Sequence, residues 1–178
     1  MINRFIVVSF SLFLLSGCVL YPTTRTYFEP NEADGTLTKS RSCGYHKAAL
    51  DSLERMVDSV EVGVTPQYRE NKELLVILSF YYNDGSVDVS PNEISITSNN
   101  GKKIFPKNVT TKSYAMDASH PNRLWANITY PVLSENLDRL SINFSEAALK
   151  INGVRINVKP FRFKKISKPD IYYSSINC

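Results

Sequence analysis

From Leu74 to Tyr82 the chain reads Leu-Leu-Val-Ile-Leu-Ser-Phe-Tyr-Tyr, almost without a polar break. A strand that is apolar on both faces lies inside a sheet with both faces covered, so this run predicts a central strand. Asn83-Asp84-Gly85 ends it as a turn. Further on the period changes to two. Leu124, Ala126, Ile128 and Tyr130 alternate with Trp125, Asn127 and Thr129, and Leu140, Ile142 and Phe144 alternate with Ser141 and Asn143. Each run has one apolar face and predicts a half-buried strand. Val109 to Tyr114 predicts a further short strand.

Turn chemistry fixes the register of the next element. Asn152-Gly153 is the strongest two-residue hairpin signal, because both central positions of its turn need positive φ. It pairs Ile151 with Val154, Leu149 with Ile156 and Ala147 with Val158 on an apolar face, and sets Lys150 opposite Arg155 on the other. The same register sets Glu146 opposite Lys159. After it the parity flips: Val154, Ile156 and Val158 are even, Phe161 and Phe163 odd, with Pro160 between. A proline there loses a ladder hydrogen bond and predicts a bulge or a bend between sheets. Asn92 to Phe105 predicts another hairpin, turning at Asn99-Asn100-Gly101. Its pattern, Pro91-x-Glu93-Ile94-x-Ile96 followed by Gly101-x-x-Ile104-x-Pro106, resembles a hairpin of immunoglobulin-like domains in bacterial envelope lipoproteins.

One window has the helical period. Ala49, Leu50, Leu53, Met56, Val57 and Val60 fall at three- and four-residue spacing, which predicts a short helix within His46 to Val60. A strand follows it through Val60, Val62 and Val64. The expected fold is mainly β: an antiparallel immunoglobulin-like β-sandwich over residues 43–178, with one short helix near its start.

The N-terminus sets the compartment. Arg4 precedes an apolar stretch, Phe5 to Leu15, too short for a bilayer span of about 20 residues and right for a secretory signal. Leu15-Ser16-Gly17-Cys18 then resembles the lipobox of bacterial lipoproteins. The resemblance implies cleavage of residues 1–17 and acylation of Cys18. Val19 stands where that family often carries an aspartate that retains proteins at the inner membrane. It therefore implies an outer-membrane lipoprotein facing the periplasm. Two or three acyl chains make a stable anchor, at about 0.8 kcal/mol per buried methylene.

With Cys18 acylated, Cys43 and Cys178 remain of three cysteines, and in an oxidising periplasm they predict one disulfide. Closing so long a loop contributes roughly 5 kcal/mol in the chain-entropy model. Residues 18–42 hold Pro22, Pro30, Gly35 and many small polar residues, the composition of a tether. Tyr21, Tyr27 and Phe28 are heavy for a free linker, so part of it is expected to lie against the domain as an irregular edge segment.

Net charge is +4 over 178 residues, too mild for a dedicated nucleic-acid binder. The two histidines, His46 and His120, stand in no metal-ligand or nucleophile spacing, and the seven glycines form no phosphate loop. No metal, cofactor or catalytic residue is therefore expected. Carboxylate pairs such as Glu70 and Glu73, or Asp84 and Asp88, match what turns commonly carry. Trp125 and the ten tyrosines offer stacking surface, and equally fill strand faces. The surface feature that stands out is cationic: Lys150, Arg155, Lys159, Arg162 and Lys164, continuing to Lys165 and Lys168. Such a row either blocks edge-to-edge aggregation or docks an anionic partner. The expectation is a lipid-anchored, non-enzymatic binding or structural module whose partner is a protein or an anionic envelope polymer. The alternatives are an inhibitor or protective lipoprotein, similar in layout to small periplasmic lysozyme inhibitors, and a hydrolase with a dispersed triad.

Overall fold

The computed structural model describes residues 20–40, 45–47, 49–114 and 121–174. Cys18, Cys43, Cys178 and His120 lie outside them, as does the signal segment. Among the described residues fifteen strands follow in chain order. They are β1 Leu20–Pro30, β2 Thr36–Thr38, β3 Tyr45–Lys47, β4 Ser52–Val57, β5 Val60–Gln67, β6 Glu73–Tyr82 and β7 Val87–Val89. Then come β8 Ile94–Ser98, β9 Lys103–Ile104, β10 Asn108–Tyr114, β11 Asn122–Leu133, β12 Arg139–Phe144, β13 Leu149–Ile151, β14 Val154–Arg155 and β15 Phe161–Ser174.

The strands form antiparallel sheets, and neither large sheet closes into a barrel. One large sheet runs β1-β15-β12-β8-β9, with β3 also on β15; the other runs β10-β11-β6-β5-β4-β2. A small sheet, β14-β13-β7, completes the set. Both large sheets feed one buried cluster. Leu74, Val76, Leu78 and Phe80 of β6, Ile128 and Tyr130 of β11, Ile94 and Ile96 of β8, Ile142 of β12 and Phe161 of β15 all belong to it. Each such side chain contributes about 1.5–3 kcal/mol by leaving water. Tyr130 spans the two sheets, its hydroxyl donating to the Ile94 carbonyl at 2.8 Å. Burial pushes that phenol well above its usual pKa, so the hydroxyl stays a donor.

From β6 onward the elements follow the sequence pattern. β6 is interior, flanked by β11 and β5, and its outer-facing residues are half-buried. The Asn152-Gly153 turn has φ of 51° and 79°, and sets Ile151 against Val154 and Lys150 against Arg155. β14 is two residues long, however, and Val154 is exposed. The chain leaves the small sheet there and enters β15 at Phe161, so the parity flip around Pro160 marks a crossing between sheets.

The expected helix is a departure. The described part of that window holds β3, β4 and the start of β5, and no helix. β4 and β5 form a hairpin, Val57 opposite Val60, with Asp58 at φ 53° in the turn. The helical period arose from a hidden alternation. Leu53 and Val57 are buried, and between them on the same strand face is Arg55, which lies over the Phe161 ring at 4.0 Å. Arg55 replaces the expected apolar residue with a cation on an aromatic face. Met56 and Leu50, which completed the apparent stripe, are exposed.

The segment read as a tether is largely strand. β1 pairs with β15 in an unbroken register from Leu20 opposite Tyr173 to Pro30 opposite Phe163. Phe28 is fully buried and meets Tyr68 edge-on at 6.4 Å. Midway along β1, Arg25 reaches the buried Asp51 and Asp170, and Ser40 donates to Asp51 through both its backbone N–H (2.7 Å) and its hydroxyl (2.9 Å). Removing one member of such a buried ionic cluster weakens the compensation of the charges that remain.

Candidate functional site

The cations of the sequence row do not share one surface. Lys150 and Arg155 face each other on β13 and β14, where Lys150 also stands opposite Asp88. Lys159 lies on the connection into β15, and its carbonyl accepts from Arg55. Arg162, Lys164, Lys165 and Lys168 are on β15.

Of these, Arg162 and Lys164 border a groove, and alternation along three strands builds it. Leu140 and Ile142, Phe161 and Phe163, and Ile94 and Ile96 enter the core. The intervening residues take the opposite face. The register sets Arg139 opposite Lys164, and Ser141 opposite both Arg162 and Thr97. One wall is the 3₁₀ turn Glu32–Asp34, capped by the Asn31 side chain accepting from the Ala33 N–H at 3.0 Å. The Asn31 N–H donates to the Arg162 carbonyl at 2.9 Å and holds this turn to β15. The opposite wall is Asn99, whose side-chain oxygen accepts from the backbone N–H of Asp138 (2.9 Å) and Arg139 (2.8 Å). The groove is open to solvent, with a volume of about 780 Å³.

Most charges around the groove are already paired. Arg162 grips the buried Asp34 through Nε (2.8 Å) and a terminal nitrogen (2.5 Å), and its backbone N–H adds a third donor at 3.0 Å. These hydrogen bonds from Arg162 hold the Asp34 carboxyl below the usual carboxylate range, against the opposing pull of burial. Lys168 donates to Glu29 at 2.6 Å, and Lys165 pairs with Asp138 at 2.9 Å. Arg139 and Lys164 are different. Both are exposed, and neither side chain has a hydrogen bond or ion pair among the described residues. Glu32 stands on the rim as an exposed acid. The groove thus offers two adjacent unpaired cations, beside the Ser141 hydroxyl, which donates to Asn143 at 3.1 Å, and the Thr97 hydroxyl, which accepts from Asn143 at 3.0 Å. That set suits an oxyanion, either carboxylate or phosphate.

Other candidates take different places. His46 is in β3, opposite Tyr173. Glu73 accepts from Lys107 at 2.7 Å. Trp125 and Tyr81 on the other large sheet have their own cation: Arg123 lies 5.0 Å from one ring and 4.6 Å from the other. Among the described residues no helix is long and apolar enough to cross a membrane.

Arg139 and Asp34 were not singled out by the sequence pattern. Arg139 precedes the alternating run Leu140 to Phe144, so parity alone places it outside with Ser141. Asp34 carries no such signal, because its partner lies at position 162 and only the fold joins them. Comparison of the chain with protein-family models, with curated proteins and with solved structures finds no match.

Proposed function

We propose that this chain is a lipid-anchored, non-enzymatic module of the cell envelope that captures an acidic partner in the Arg139–Lys164 groove. The single observation carrying this reading is the contrast on that surface. Its neighbouring cations are neutralised by built-in acids, while Arg139 and Lys164 sit opposite each other without an ion pair; Glu29, opposite Lys164 on β1, is engaged by Lys168. Two exposed like charges in register repel by roughly 0.2–1 kcal/mol, and an anionic ligand removes that cost. The partner is an acidic protein face or an anionic polymer of the periplasm.

The immunoglobulin-like β-sandwich is part of the same proposal. The common core of the two large sheets and the Tyr130–Ile94 bond between them support it. Acylation of Cys18 and location on the outer membrane rest on the lipobox, Leu15 to Cys18. A Cys43–Cys178 disulfide is supported by the pairing of β3 with the end of β15. Tyr45, two positions after Cys43, stands opposite Ser174, four positions before Cys178.

The test is a pull-down from detergent-solubilised envelopes with two baits, the wild type and Arg139→Glu/Lys164→Glu. Acidic partners retained at low salt by the first and lost by the second support the reading. Identical recovery on both baits contradicts it.

A further inference from the structure

The anchor proposed above, on which this inference rests, leaves almost no tether. β1 begins at Leu20, two positions after Cys18. Two residues reach at most about 7 Å, so an acylated Cys18 holds the first residues of β1 against the lipid headgroups.

The residues that meet at this end suit that position. In the register of β1 and β15, Leu20 stands opposite Tyr173, Tyr21 opposite Tyr172 and Pro22 opposite Ile171. On the other side of β15, β3 brings Tyr45 opposite Ser174 and Lys47 opposite Tyr172. Four tyrosines from three strands thus gather within a few register positions. Pro22 is exposed, and Ile171 is 52% exposed, an apolar side chain left in water at the same end. None of Leu20–Thr24, Tyr45–Lys47 or Ile171–Ser174 contains an acid. The nearest, Asp170, is buried and bound to Arg25. Tyrosine at headgroup level, apolar residues beside it and a lysine among them are the composition of a membrane–water interface.

We propose that this end of the β1–β15–β3 ribbon is a membrane-seating surface, dipping into the headgroup layer of the bilayer that holds the acyl chains. The ribbon then rises from the membrane. At about 3.3 Å per residue, Glu29 lies about 30 Å from Leu20 along β1. That is several times the screening length of roughly 8–10 Å at physiological ionic strength. The groove beside Glu29 is therefore carried clear of the anionic headgroups beneath it and meets partners in the periplasm.

The experiment uses the full-length lipidated protein in vesicles whose lipids carry bromine near the headgroup. Trp125→Phe provides the background, with Ile171→Trp at the seating end in one protein and Phe105→Trp at the far end in another. Both positions are exposed, so each variant is expected to fold, and circular dichroism checks it. Thr24→Trp, exposed and opposite Pro169, repeats the first measurement at an independent site. Roughly twofold or greater quenching at positions 171 and 24, and none at 105, is expected for interfacial residues. Equal emission at all three positions in a protein that carries acyl mass and floats with the vesicles overturns the seating while leaving the anchor. A protein without acyl mass that does not float overturns the anchor itself and the seating with it.

Discussion

The two ends of the β1–β15 ribbon share one backbone register and differ in how they treat charge. At the Leu20 end the strands carry tyrosine, proline and isoleucine, Lys47 of β3 stands opposite Tyr172, and the nearest acids are withdrawn into the Arg25–Asp51–Asp170 cluster. At the Pro30 end charges crowd the surface, most of them paired, with Arg139 and Lys164 left over. Pairing between strands gives the ribbon its length, and side-chain chemistry gives each end its surroundings. One end suits a lipid interface; the other suits an acidic ligand in water.

The largest effect is expected from removing the anchor. Cys18→Ala should move the protein from the membrane pellet to the soluble fraction, or stall its processing. Wild-type protein carrying no acyl mass at Cys18 would contradict the lipobox reading.

Next come the groups that make β1 part of the domain. Phe28→Ala should cost about 3–5 kcal/mol, because a large, fully buried side chain leaves a cavity. Arg25→Ala should cost a similar amount, about 3–5 kcal/mol, by removing a cation that reaches two buried carboxylates. Urea unfolding measures both. Losses below about 1 kcal/mol, the usual range for surface substitutions, would show that β1 is a loosely docked tether after all.

The disulfide ranks third. Non-reducing peptide mapping should recover Cys43 and Cys178 in one cross-linked pair, and reduction should cost about 2–4 kcal/mol. Recovery of both as free thiols from periplasmic protein would sink it.

The smallest effect sharpens the comparison most. Asp34→Asn should cost about 1–2 kcal/mol, the scale of a charge-assisted hydrogen bond whose other partner is partly solvated. The sign of its pH dependence follows from the lowered pKa. Stability from Asp34 is present above its unfolded value, near 3.8, and is lost as pH falls through the lower folded value. The acid limb of wild-type stability below about pH 4 should therefore be shallower in Asp34→Asn. An unchanged acid limb would mean that the Arg162 contact adds nothing to folding.

How far the sequence reached depended on how local each signal was. The Asn152-Gly153 hairpin, the interior strand β6 and the half-buried strands β11 and β12 follow from periodicity and turn chemistry over a few residues. The helix expected near Met56 failed because Arg55 occupies an inward position that periodicity reserves for apolar residues, and its aromatic partner is 106 positions away at Phe161. Of residues 18–42, the packing of Tyr27 and Phe28 against the domain was legible and the length of strand β1 was not. Proline, glycine and small polar residues suggest a linker, yet an edge strand tolerates Pro22 and Pro30 because one side of its backbone needs no ladder partner. For the groove, Arg162 and Lys164 were legible as exposed cations, and Arg139 was legible by parity. That Asp34 silences Arg162, and that β12 brings Arg139 beside Lys164, are facts of the tertiary fold.

The direct test of the groove is a titration with a fluorescent oligoglutamate peptide at low and high salt. Wild type should bind with a salt-dependent affinity. Arg139→Glu/Lys164→Glu should bind at least about tenfold more weakly at low salt, and the gap should narrow as salt screens exposed charge. Asp34→Asn, which releases Arg162 into the groove, should bind more tightly than wild type. Lys150→Glu/Arg155→Glu, on the small sheet, should change affinity less than the groove pair. That order is the prediction. Equal affinities for all four proteins at every salt concentration would contradict the assignment of the groove as the anion-capturing site.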